Sequence, residues 1–351
     1  MKVDPDGLKA IASDLLVRAG ADEGEAQSLA EILVWCDEVG RGNQGVWRLP
    51  ILTERLERGL FRSPCRPSLR RVGPSLAVRD ADNGLGHVVA RAAMDHAIAL
   101  ARETGVGLVS VHGANFFGAG AYYVEQAASQ GMLGLAASNS FPKVAAHGGV
   151  KSILGTNPFA FGAPRANGES LLLDMATASS AGSRIRKYAE QGRALPEGIA
   201  VDERGAPITD PERVEQGTLL PFGGAKGFGL ALMVEILAGV LSGAGIGPGV
   251  KSMYKDFENG GNNGFALIAI EISRLLPLDH FYARMEELIG LLRTSANGVP
   301  GLTVLYPGES RWRARKESAR EGISLDERTC SAIEDLCVKY GTETLWAPPQ
   351  R

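Results

Sequence analysis

The sequence is short of most features that would assign a class of protein at sight. Aromatic residues are 6% of its 351 residues, with only four cysteines and five histidines. Cys36, Cys65, Cys330 and Cys337 form no Cys-x-x-Cys pair, which predicts free thiols in a reducing compartment. Neither the cysteines nor His87, His96, His112, His147 and His280 have a second ligand at metal spacing, so no metal site is expected. No apolar run approaches the roughly 18–20 residues that cross a bilayer. The start, Met1-Lys2-Val3-Asp4-Pro5-Asp6, lacks a signal peptide's basic and apolar segments. A cytoplasmic protein with no membrane partner is expected. Lys+Arg 37 against Asp+Glu 40 gives a formal charge of −3 with no basic block, which excludes nucleic acid as a partner. Walker A spacing, a Gly-x-Ser-x-Gly elbow and a proper Gly-x-Gly-x-x-Gly fingerprint are also missing.

What the chain does have is a sizeable apolar share, 44%, and 45 glycines concentrated in its middle. At roughly 150 residues per domain the length suggests about two domains. Leu8, Ile11, Leu15 and Leu16, then Ala26, Leu29, Ile32, Leu33 and Cys36, recur at helical spacing and predict two helices over 4–40. Asp22 with Glu25 reads as a capping box for the second. A third helix is expected over 47–59, with Pro50 in its first turn. Beyond Leu69 short β-like runs (76–78, 106–111, 133–138, 159–163, 171–174, 266–272) alternate with predicted helices at 88–104, 119–130 and 229–241. That alternation argues for an α/β sheet. A charged, Pro-punctuated stretch, 181–216, reads as a small helical insertion. Helix 281–295, a strand at 303–306 and helix 325–340 complete the expectation.

Several segments could carry chemistry. Asp82-Asn83-Gly84-Leu85-Gly86 and Phe117-Gly118-Ala119-Gly120 each precede a predicted helix, where backbone N–H groups can hold an anion, or they are plain tight turns. Pro221-Phe222-Gly223-Gly224-Ala225-Lys226-Gly227 combines close backbone approach with one cation at a helix start. It reads either as a cofactor or carboxylate site or as an ordinary surface lysine. His112 and His147 flank glycine-rich turns and can be structural or catalytic. The residues by themselves stop at a soluble α/β protein with an anion or nucleotide site.

Taken in order, however, seven blocks resemble the malate/L-lactate dehydrogenase family that lacks a Rossmann fold. They are Gly45-Val46-Trp47-Arg48-Leu49-Pro50, Asp82-Asn83-Gly84-Leu85-Gly86, Asn115-Phe116-Phe117-Gly118, Leu154-Gly155-Thr156-Asn157-Pro158-Phe159, Asp174-Met175-Ala176-Thr177, the Gly-Gly-Ala-Lys-Gly block and Pro307-Gly308-Glu309. The resemblance implies a mixed-sheet, non-Rossmann NAD(P)-binding domain (75–180 and 217–302), a helical domain built from both chain ends (1–74 and 303–351) and the small helical insertion (181–216). It implies a homodimer, with NAD or NADP held by Ser140, Asp174, Met175, Ala176, Lys226, Gly308 and Glu309. Arg48 would grip the carboxylate of a small-molecule substrate as a bidentate pair.

Two departures stand out. The family's usual Ser-His before Gly45 is Asn43-Gln44 here, and the His of its Ser-Asn-His-Phe-Gly block is Phe116. Neither an amide nor a phenyl ring releases a proton near neutral pH, although Gln44 can still orient a substrate by hydrogen bonding. Three readings follow: reduction of an imine carboxylate that arrives already protonated, a 2-oxo acid or 2-hydroxy acid dehydrogenase with His112 or His147 as substitute acid, or a scaffold that has lost redox chemistry, either a cofactor-binding subunit or a non-redox enzyme.

Overall fold

The computed structural model describes residues 1–295 and 302–343. The sequence-derived domain limits that run through 296–301 and 344–351 lie outside the described residues. Three helices open the chain, α1 (Pro5–Arg18), α2 (Glu23–Glu38) and α3 (Leu49–Glu57). Asp22 Oδ1 accepts from the backbone N–H groups of Gly24 at 3.0 Å and Glu25 at 3.2 Å, satisfying donors that a helix start leaves free. The expected capping box stays half-built. Glu25 turns outward instead, accepting from Ser63 Oγ and Cys65 N, and so ties the Pro-rich segment to α2.

The centre is a seven-stranded sheet made of β1 (Ser68–Arg71), β2 (Leu76–Asp80), β3 (Val106–Ala114), β4 (Met132–Ser138), β5 (Phe159–Ala163), β6 (Leu171–Met175) and β7 (Asn263–Glu271). Its spatial order is β1-β2-β3-β7-β4-β5-β6, and only β2 and β3 pair in parallel, across helix α4 (Gly86–Thr104). One face carries α4 and α5 (Gly120–Ala128). Glycines let these helices lie unusually close. A Cβ on Gly107 would stand 2.0 Å from Ala97 O, and one on Gly162 would stand 2.6 Å from Val124 O. The low aromatic content fits this thin, alanine-lined core.

Between β6 and β7 come α6 (Gly182–Glu190) and α7 (Ala225–Glu235), the latter running into a π turn, Ile236–Val240. α7 starts four residues before the expected 229, because Gly223 (φ +57°) and Gly224 (φ +64°) turn the chain directly into it. Besides its helix, the insertion contributes the strand Ala200–Val201. This strand joins a small sheet with Thr218–Leu219, Val144–Ala145 and Ser152–Leu154.

α8 (Leu278–Thr294), α9 (Glu309–Glu321) and α10 (Glu327–Tyr340) close the chain. α10 shares a core with α1–α3 through Leu8, Leu33, Ile333 and Cys337, and Lys2–Val3 pairs with Ile323–Ser324. The strand expected at 303–306 does not form. Tyr306 spends its carbonyl on Glu309 N (3.1 Å), inside the turn that starts α9, and Pro307 O accepts from Leu172 N (2.9 Å). Among the described residues no strand pairs with 303–306.

Candidate active site

The register Ala137–Phe159–Met175 places the carboxyl ends of β2, β3, β4 and β6 on the same edge as the amino ends of β5 and β7. Nearly every quoted glycine block therefore meets at one edge. Asparagines, which offer both donors and acceptors, stitch the loops together there. Asn115 Nδ2 donates to Asn83 O (2.9 Å) and Gly84 O (3.0 Å), and its Oδ1 accepts from Gly261 N (2.6 Å). Asn157 accepts from Ser140 N (3.2 Å) and donates to Glu235 Oε2 (2.7 Å).

Two expected anion sites are filled by the protein itself. At the start of α4, a Cβ on Gly86 would fall 2.1 Å from Asn115 O, so that end is packed shut. At the start of α5, Asp174 Oδ2 accepts from Ala121 N (3.1 Å) and lies 3.5 Å from Arg311 Nη2. Burial pushes the Asp174 carboxyl above the ordinary carboxylate range, against the pull of Arg311.

The start of α7 is different. No neighbour lies within 4 Å of a Cβ built on Gly223, Lys226 is exposed with no ion pair among the described residues, and a Cβ built on Gly224 would stand 3.5 Å from the His147 ring. An open helix N-terminus beside an unpaired cation fits a pyrophosphate. Ser140 Oγ accepts from Thr156 N (2.9 Å), and Thr177 Oγ1 donates to Thr156 O (3.0 Å). Through Thr156, these two bonds link Ser140 to Thr177, two residues past the end of β6. Gly308 (φ +98°) presses its backbone on Leu172, while the Glu309 carboxylate is paired with Arg313 and Arg293. Of the expected cofactor ligands, Lys226 alone is a charge without an ion pair among the described residues; Asp174 and Glu309 are already engaged.

The second focus lies between α2 and α3. Asp37, buried on α2, accepts from Val46 N (2.8 Å) and sits so close to Gly45 that a Cβ there would fall 2.1 Å from Oδ2. This contact shapes the two tight 3₁₀ turns, Gly42–Gln44 and Val46–Arg48, that present Gln44 and Arg48. Burial pushes Asp37 up to about 7. Arg48 is 6% exposed; its guanidinium lies 4.5 Å over the Phe116 ring and 5.2 Å over Trp47, and Nη1 donates to Tyr254 Oη. Its Nε, Gln44 Oε1 and Trp47 Nε1 are buried without partners among the described residues, and buried polar atoms ordinarily have one.

Behind Phe116 stands His87, edge-on at 5.5 Å, with its Nε2 pressed on Gly118. Burial, reinforced by Arg48, drags His87 down to about 3, so it stays a neutral ring. His112, near the end of β3, lies 4.0 Å from Asp80 on the neighbouring strand β2. Among the described residues, neither His112 nor His147 hydrogen-bonds or stacks with Gln44, Trp47, Arg48 or Phe116. Tyr254 was not singled out from the sequence. It lies in a loop without periodicity, 251–260, that is fastened by the fully buried Arg55, which donates to the carbonyls of Met253 (3.2 Å), Asp256 (2.6 Å) and Asn259 (2.8 Å).

Comparison with known proteins places the whole chain in one family. A family model described as malate/L-lactate dehydrogenase matches residues 3–334. The chain is 37% identical to the L-sulfolactate dehydrogenase of Methanothermobacter thermautotrophicus, over 95% of each chain. It is 34% identical to the ureidoglycolate dehydrogenase (NAD(+)) of Escherichia coli K12, over 98% of each. The solved Δ1-piperideine-2-carboxylate reductase of Pseudomonas syringae superposes with a TM-score of 0.87 at 32% identity, covering 96% of this chain and 99% of that one.

Proposed function

The chain belongs to the malate/L-lactate dehydrogenase family, and from that premise we propose that it reduces the C=N bond of a small imine carboxylate with NADH or NADPH. It is an oxidoreductase, and NAD or NADP is its cofactor, as in its family. The observation that carries the reading is the Arg48 cluster: a buried guanidinium whose Nε has no partner among the described residues, set beside Gln44 and Phe116, the positions where the resemblance implies imidazoles. Arg48 holds the carboxylate in a charge-assisted pair. Gln44 hydrogen-bonds the ring nitrogen, and Phe116 with Trp47 keeps water from the reacting carbon. A bound nicotinamide supplies the hydride. An iminium arrives with its proton already on nitrogen, so this pocket has no need of an imidazole there.

For the cofactor, Lys226 and the α7 start would take the pyrophosphate, while Ser140, Met175, Ala176 and the Gly308 turn would line the dinucleotide. His147, beside Gly224, borders that site and would act in it by hydrogen bonding. Asp174 and Glu309 would act through their remaining oxygens and backbone.

A homodimer is part of the same reading. On the face opposite α4 and α5, Leu76, Leu108, Ile268, Leu135, Phe161 and Leu173 form one cross-strand apolar row that no described helix covers fully. Ile236 (53% exposed) and Val240 (59%) extend it along the π turn. Apolar surface of this continuity marks an interface. Four free thiols support a cytoplasmic setting.

A second reading, reduction of a 2-oxo acid, is favoured by the sulfolactate-acting relative. The deciding experiment follows oxidation of NADH and NADPH with Δ1-piperideine-2-carboxylate, pyruvate and oxaloacetate. Faster turnover of the imine supports the proposal, faster turnover of the oxo acids supports the second reading, and none with any of them points to a scaffold without redox chemistry.

A further inference from the structure

We infer that Tyr254 is the proton donor of this pocket, taking the place of the two missing imidazoles. The inference rests on the hydride-transfer reading above. Three observations converge on this side chain. Its hydroxyl oxygen accepts a hydrogen bond from Arg48 Nη1, the group assigned to the substrate carboxylate. A phenol whose oxygen is engaged as acceptor keeps its own hydrogen free to donate, and that hydrogen has no partner among the described residues. The side chain is also held in place. Arg55 fastens three carbonyls of its loop, and the Phe141 ring meets it edge-on at 6.2 Å, next to Ser140 on the cofactor side.

The chemistry follows from the placement. The carbon to be reduced is bonded directly to the carboxylate, so a donor touching the carboxylate's arginine stands beside the oxygen or nitrogen on that carbon. The substrate carbon gains hydrogen and two electrons from the reduced nicotinamide. Its π pair moves to the heteroatom, and the heteroatom takes the proton from Tyr254 Oη. The Arg48 guanidinium neutralises the charge developing on the phenol oxygen as the proton departs. Tyr254 is 40% exposed, so water restores its proton after product leaves.

Tyr254 thus makes the pocket competent for unprotonated substrates. A 2-oxo acid needs the donor at every pH, whereas a cyclic imine needs it only where the imine is neutral.

The test compares wild type with Tyr254→Phe. The variant retains the ring and the Arg55 anchors, and loses one hydroxyl. Fluorescence titration should give the same NADH dissociation constant within about twofold. With pyruvate or oxaloacetate, kcat should fall at least ~100-fold, the usual scale of general acid help. With Δ1-piperideine-2-carboxylate the loss should be confined to high pH and recover as the pH falls and the imine protonates. A rise in KM alone, with kcat and both pH profiles unchanged, would show a purely positioning hydroxyl and overturn the inference. If wild type binds NADH yet reduces neither substrate class, the hydride-transfer reading fails first and this one with it. If wild type turns over and Tyr254→Phe matches it, only the proton-donor assignment fails.

Discussion

The Arg48 guanidinium lies over the Phe116 ring, 4.5 Å from its centroid. Where the resemblance implies an imidazole, an aromatic face holds the Arg48 guanidinium, the side chain proposed to bind the substrate carboxylate, in one orientation. A cation–π contact of this kind is worth ~0.5–2 kcal/mol. Phe116→Leu should raise KM for a carboxylate substrate roughly 3- to 10-fold while kcat changes little, as steady-state kinetics will read. A large fall in kcat instead would mean that the ring contributes to the transition state.

Reintroducing an imidazole tests the replaced acid from the other direction. In Gln44→His, the ratio of 2-oxo acid to imine turnover should rise at least ~10-fold, since a titratable donor then stands in the pocket. Unchanged rates and profile would remove the significance given to Gln44.

Lys226 is exposed and makes no ion pair among the described residues, so its removal should leave stability alone and fall on the cofactor. Lys226→Ala should weaken NADH or NADPH binding ~10-fold, about 1.4 kcal/mol, in a fluorescence titration. An unaltered constant would detach the α7 start from the pyrophosphate.

Asp37 gives a pH signature. Its folded value of about 7 lies above the ordinary ~4 of an aspartate, because burial penalises the charged form. The native protein therefore binds a proton that the unfolded chain has already lost. Stability from this group is complete below about pH 4 and is lost as pH rises toward 7. His87, at about 3, works in the opposite sense, with stability complete above its ordinary ~6.5 and lost on acidification, so only a difference measurement isolates Asp37. Asp37→Asn should match wild type in melting temperature near pH 4 and exceed it by at least ~2 °C at pH 8. The reverse order would place the cost elsewhere.

How much of this could be read from the sequence varied with the range of the interactions. Periodicity located α1, α2 and α4 within a few residues, because their apolar faces repeat locally. The strand expected at 303–306 failed because its Thr303-Val304-Leu305-Tyr306 run has strand-forming residues but no neighbouring edge, and a single sequence does not display pairing partners. The glycine blocks announced themselves as turns, yet which helix starts were open depended on distant side chains. Asp174, some 53 positions from Ala121, fills one of them. Tyr254 carried no local signal. Its meaning comes from Arg48, 206 residues away, and from the buried Arg55 that fixes its loop.

The most direct measurement is a titration of the purified protein with NADH and with NADPH, followed by intrinsic fluorescence. A saturable transition with at least one of them, lost or weakened in Lys226→Ala, is the predicted outcome. No occupancy by either nucleotide at millimolar concentration would contradict the whole account.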